Sequence, residues 1–180
     1  MIAKAADLGL ARLALTDHDT AEGSLLLKRM APELAIVGEE VRTSEGDIIG
    51  LFINETISAG GTPEAVCDRI HKMGGVTYAC HPFDRRRGGF APERLVALAP
   101  RLDVIETHNS WADDAANRAA AEICRELGKV AAAGSDAHAA WELGRCWMQM
   151  EAYDGVGDFL DKLACARHVV NTPSGVGRRA

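Results

Sequence analysis

The chain has 180 residues, enough for one domain whose core buries about 70% of the surface exposed by the unfolded form. Its net charge of −6 and pI near 5.5 argue against bulk binding to nucleic acid or an anionic membrane, yet allow phosphate compounds held by a local cation cluster or metals. The longest apolar stretch, residues 48–53, is far short of the ~20 needed to span a bilayer, and the start has no signal-peptide pattern, so a cytoplasmic protein is expected.

Along the chain, helical periodicity alternates with short β-rich runs, the pattern of βα units on a parallel sheet. Residues 1–8 read as the back half of a helix, 11–15 as a strand, 21–30 as a helix and 34–37 as a strand. Residues 40–52 read as a hairpin-like excursion. Thr62 can cap a helix whose first position suits Pro63, so 63–73 is predicted helical, with Gly74 and Gly75 ending it before a strand at 76–79. A helix at 92–98, a strand at 103–106 and an Ala-rich helix at 113–127 follow. Gly128 ends that helix before a strand at 130–133. A strand at 147–150, a helix at 156–163 and a short run at 166–170 complete one domain, 1–172, leaving 173–180 as a flexible tail.

Three of the apolar runs end in histidine. They lead into Thr16-Asp17-His18-Asp19-Thr20, Cys80-His81-Pro82 and Gly134-Ser135-Asp136-Ala137-His138. Parallel α/β folds gather ligand-binding residues at the C-terminal ends of strands, so these endings predict one shared site. Side chains two apart on a strand share a face, which lets Asp136 and His138 converge on one ion if the strand direction persists. Mixed imidazole and carboxylate donors suit Mn, Zn or Fe.

His18 is read as a ligand, with Asp17 able to orient it. Asp19 either caps the next helix or has a chemical role. In Gly38-Glu39-Glu40 only one of two adjacent carboxylates can face inward, a natural bridge between cations. Asp47 offers another inward carboxylate or a turn acid after Gly46. Arg85, Arg86 and Arg87, followed by Gly88-Gly89, form a basic loop that either binds phosphate or is a solvated surface. His108 is either a ligand, a leaving-group acid or part of an ordinary polar loop with Asn109 and Ser110. Cys80, just before a candidate ligand, should point away as a core thiol. The five cysteines are widely spaced without a C-x-x-C pair, which predicts reduced, mostly buried thiols.

Together, Thr16-Asp17-His18-Asp19-Thr20, Gly38-Glu39-Glu40, His81-Pro82 and Gly134-Ser135-Asp136-Ala137-His138 resemble, in order and spacing, the PHP (polymerase and histidinol phosphatase) family across most of the chain. The resemblance implies an α/β fold, a distorted seven-stranded β/α (TIM-like) barrel, with two or three divalent metal ions at the strand ends, hydrolysing phosphate esters. It makes His18, His81, Asp136 and His138 metal ligands and Glu40 the bridging carboxylate. Asp47-Ile48-Ile49-Gly50 stands where many members have His-x-x-Gly, so Asp47 is a substitute oxygen ligand. The family's His-x-His on the first strand is absent, and the chain opens inside the helix that follows. A barrel without its first strand would expose an edge and invite a homodimer.

These features predict a metal-dependent phosphoesterase acting by a metal-activated water on a small phosphorylated substrate, a nucleotide, short oligonucleotide, or sugar or amino-alcohol phosphate. A degenerate domain that binds a metal or partner without catalysis is the alternative. An amidohydrolase on a similar barrel fits the motif order less well.

Overall fold

Amphipathic helices separated by short apolar strands assemble into a helix-covered sheet, in a computed structural model that describes residues 1–171. The expected tail at 173–180 lies outside the described residues. The elements are α1 (Ile2–Asp7), β1 (Leu13–Leu15), α2 (Glu22–Met30), β2 (Ala35–Arg42), β3 (Asp47–Leu51), α3 (Pro63–Lys72) and β4 (Val76–Ala79). There follow α4 (Pro92–Leu98), β5 (Val104–Asn109), α5 (Asp114–Glu126), β6 (Val130–Gly134), β7 (Cys146–Gln149), α6 (Gly155–Ala164) and β8 (Arg167–Val170).

The first six strands form one curled, open sheet in chain order, β1-β2-β3-β4-β5-β6. β1 and β2, β4 and β5, and β5 and β6 pair in parallel, whereas β3 is antiparallel to both neighbours. The start of β3 therefore lies at the same sheet edge as the C-terminal ends of the other five strands. That reversal carries Asp47 to the edge where Glu40 and the residues after β1, β4 and β6 also gather.

The expected barrel, seven-stranded but for a missing first strand, is found as six strands in one open sheet plus a separate pair. β7 and β8 pair antiparallel with each other, Cys146 opposite Val170 and Gln149 opposite Arg167, and pack beside β6 without joining its ladder.

Alternation sorts the sheet residues onto two faces. Val37, Val41, Ile48, Ala79 and Ile105 pack with Ile70, Leu95, Leu98 and Cys124 from the helices on one side. Ile36, Tyr78, Cys80, Val104 and Ala132 face α6 through Phe159 and Leu163 on the other. Two helix starts are capped as their sequences demand. Thr62 Oγ1 accepts from Ala65 N at 3.3 Å with Pro63 at the first turn, and Asp113 Oδ1 accepts from Ala116 N at 2.8 Å, each cap stabilising by about 1 kcal/mol. No helix among the described residues is long and apolar enough to cross a membrane.

Candidate metal centre

A cleft of about 490 Å³ opens at the C-terminal sheet edge, lined among others by His18, Glu40, Asp47, His81, Arg86, Arg87, Asp136 and His138. Beyond β1, residues 17–19 continue along β2. Glu40 N donates to Asp17 O at 3.1 Å and Asp19 N to Glu40 O at 2.9 Å, so His18 forms an isolated parallel bridge with Glu40. Its Nδ1 comes within 3.9 Å of Glu40 Oε1.

Glu39 and Glu40 divide between the faces as alternation requires. Glu40 looks into the cleft. Glu39 is fully buried on the helix side, where its Oε2 accepts from Ile57 N at 2.9 Å. Burial raises its pKa despite that hydrogen bond.

The same alternation puts Cys80 on Glu40's face, contrary to the expectation that it would point away. Its Sγ lies 3.6 Å from both Glu40 Oε1 and Asp47 O. His81 is the residue that departs from the strand. Its φ of +29° ends the extended backbone and turns the ring back, so that Nε2 lies 3.1 Å from Glu40 Oε1. Burial, helped by the Glu40 carboxylate, holds the Cys80 thiol far above its ordinary range, so it is protonated in the metal-free chain. For His81, burial alone would lower the pKa, but the Glu40 hydrogen bond and charge outweigh it and the net shift is upward.

Two donor groups result, Glu40 with Cys80 and His81, and Glu40 with His18 and Asp47, each with its ligand atoms within 4.8 Å of one another. Glu40 belongs to both. Asp47 is 7% exposed, and burial reinforced by the Glu40 charge pushes its pKa up to about 6. Gly88 closes over it. Asp47 N donates to Gly88 O at 2.8 Å, and a Cβ on Gly88, whose φ is +82°, would meet Asp47 Oδ2 at 2.1 Å.

Asp136 and His138 share the cleft, though not by strand alternation. β6 ends at Gly134, and Asp136 has a φ of +48°, so a turn presents the pair. His138 Nδ1 lies 2.9 Å from Asp136 O and 3.7 Å from Asp136 Oδ1. The Arg87 guanidinium bonds Asp136 Oδ2 through Nη1, reaches Asn109 Oδ1 at 3.0 Å through Nη2, and reaches Asp84 Oδ2 at 3.0 Å through Nε. Burial raises the Asp136 pKa, but Asn109 and Arg87 outweigh it and the net shift is downward. Positive φ in a residue with a side chain costs of order 1–3 kcal/mol and collects at functional sites. Three of the four such residues described, Asp19, His81 and Asp136, lie at this edge.

The structure does not bring Asp19, Arg85 or His108 into the cleft. Asp19 is occupied by Arg42, accepting from its backbone N at 2.8 Å and its Nε at 2.7 Å, and it does not cap α2. Arg85 lines a second depression with Phe83, Phe90 and Glu122. His108 is displaced by a bulge. Pairing with β6 shifts between Glu106 and His108, the extra residue Thr107 changes the alternation, and the His108 ring stacks on His168 with centroids 5.5 Å apart. Burial and the neighbouring His168 lower the His108 pKa.

The same bulge returns Asn109 to the cleft side, a placement the sequence reading missed. Asn109 Nδ2 donates to Asp136 Oδ2 at 3.1 Å and to Glu106 Oε2 at 3.0 Å. Glu106, 4% exposed, also accepts from His81 N at 2.7 Å and from Tyr78 OH at 2.9 Å. A Cβ on Gly134 would meet Glu106 Oε1 at 2.4 Å, so the glycine makes room for this carboxylate. The available signal was Glu106 itself, a carboxylate inside an apolar strand, where a charge needs partners.

A family model described as PHP-associated matches residues 114–167. The uncharacterized protein MJ1587 of Methanocaldococcus jannaschii is 34% identical over 124 residues, 66% of this chain and 71% of that protein. A two-domain Bacteroides vulgatus protein, described as containing a predicted PHP-like metal-dependent phosphoesterase, superposes with a TM-score of 0.56 at 18% identity, over 69% of this chain and 42% of that one. The chain belongs to the PHP family. A second Methanocaldococcus jannaschii relative, the uncharacterized protein MJ0417, is 34% identical over 120 residues, 64% of this chain and 51% of its own length. PsfC from Pseudomonas syringae superposes with a TM-score of 0.71 at 19% identity, covering 94% of this chain and 80% of that one.

The divalent metals implied for a PHP protein fit the residues present. His81 Nδ1 is buried with no hydrogen-bond partner among the described residues, beside imidazole, thiol and carboxylate donors that suit Zn, Mn or Fe.

Proposed function

We propose that this chain is a metal-dependent phosphoesterase whose two ion positions share Glu40. The observation that carries this reading is the membership of Glu40 in both donor groups, with Cys80 and His81 on one side and His18 and Asp47 on the other. Asp136 and His138 complete the donors around the cleft. Bound divalent ions would supply an acidified water as nucleophile and neutralise charge on the phosphate oxygens.

The chain's own residues do the rest. Arg86 lines the cleft and makes no ion pair among the described residues, so its fork of N–H donors is free for a phosphate. Arg87, held by three acceptors, positions Asp136. His108, stacked on His168, does not reach the cleft, which leaves solvent to protonate the leaving group. The test is hydrolysis of a panel of phosphate monoesters and diesters with Mn²⁺ or Zn²⁺, in the unaltered chain and in His81→Ala and Asp136→Ala. Activity in the first and none in the variants is expected. Full activity in folded variants contradicts the reading.

The Arg87–Asp136 pair favours a second reading, a metal-binding domain without catalysis in which the guanidinium stands in for a cation. Tight metal binding with no turnover of any ester would select it.

A further inference from the structure

Outside the donor set, one exposed cluster borders the cleft beside His138. The Trp111 ring lies edge-on to the His138 ring, centroids 6.1 Å apart, and is 48% exposed. Trp141 is 71% exposed. The Arg145 guanidinium lies 5.1 Å from the Trp111 ring centroid and 4.9 Å from that of Trp141. Resting on the proposed phosphoesterase reading, we infer that this platform stacks the base of a nucleotide whose phosphate occupies the cleft.

The platform is built onto the cleft. Glu142, 2% exposed, pairs with Arg145 at 3.2 Å, and its Oε2 accepts from His138 N at 2.8 Å and Ala139 N at 3.2 Å. Trp111 N donates to Asn109 Oδ1 at 2.9 Å, and Asn109 also holds Asp136. Trp111 is thus tied to Asp136 through Asn109, and the Trp141 ring to His138 through Arg145 and Glu142. Two exposed indoles sharing one guanidinium offer a flat, cation-backed surface on which any base can stack. An apolar protein partner fits less well, because the charge of Arg145 between the rings would be buried with it. A nucleotide matches both halves, with its anion near Arg86 and its flat ring on the indoles.

The test is calorimetric binding of AMP and of ribose 5-phosphate, which keeps the phosphate and sugar and lacks the base. AMP should bind about tenfold more tightly, Trp141→Ala should abolish that preference, and Trp141→Tyr should retain most of it. Equal affinities in the unaltered chain overturn the proposal. So does an undiminished AMP preference in both Trp111→Ala and Trp141→Ala, or a self-association by sedimentation that Trp141→Ala abolishes. Failure of the phosphoesterase reading shows separately, as an AMP preference in a chain that cleaves neither ester.

Discussion

On the cleft floor Glu40, Asp47 and His81 are 6%, 7% and 5% exposed, while at the rim the side chains of His18 and His138 are 52% and 60% exposed. Floor residues sit on or directly after paired strands, and their backbones are fixed by the β2–β3–β4 register and by Glu106 beneath His81. Rim residues lie beyond the strand ends, His18 at an isolated bridge to Glu40 and His138 after the turn at Asp136. The floor is set by folding, whereas rim side chains keep rotamer freedom that binding must remove. Substitutions that truncate a floor side chain should therefore damage both fold and metal binding, and those at the rim metal binding alone.

The largest effect belongs to Glu40→Ala. If Glu40 is the shared ligand proposed above, its loss should weaken Mn²⁺ binding, measured by calorimetry, by more than the roughly 100-fold upper limit for residues that only support ligands. Glu106→Leu comes next. It strands the donors of His81 N, Tyr78 OH and Asn109 Nδ2, and should cost about 3 kcal/mol in urea unfolding. A loss below 1 kcal/mol would mean the floor is not held from beneath.

Asp47 sharpens the comparison through pH. In the metal-free chain its folded pKa, about 6, lies above the ordinary 3.8, so folding favours its protonated form. That contribution is fully present below pH 4 and lost as pH rises through 6, on the order of 2 to 3 kcal/mol. Metal-free Asp47→Asn should thus gain on the unaltered chain as pH rises from 4 to 7.5, with the difference gone at pH 4. A constant difference in denaturant unfolding would break this account. His18→Ala, at the rim, should leave unfolding within about 0.5 kcal/mol of the unaltered chain and weaken metal binding about tenfold. Clear destabilisation would erase the distinction between rim and floor.

Much of this was legible in the chain. The strand at 76–79 and the capped helix that opens at Pro63 follow from local signals, apolar runs bounded by glycines and a Thr-Pro start. The gathering of His18, Glu40, Asp47, His81, Asp136 and His138 around one cleft follows from strand ends and motif order. What was not legible depends on backbone geometry that leaves no periodic trace. The left-handed turn at His81 brought Cys80 and His81 to the same carboxylate, and the bulge at Thr107 exchanged His108 for Asn109. The partition of the strands into six and two reflects tertiary pairing, since β7 and β8 read locally like any other strands.

The most direct test of the shared carboxylate is metal stoichiometry by elemental analysis of the purified chain, after equilibration with Mn²⁺ or Zn²⁺ and removal of loosely held ions. Two tightly held ions per chain, both lost in Glu40→Ala, are expected. A single ion, or an ion retained without Glu40, would contradict the two-position site.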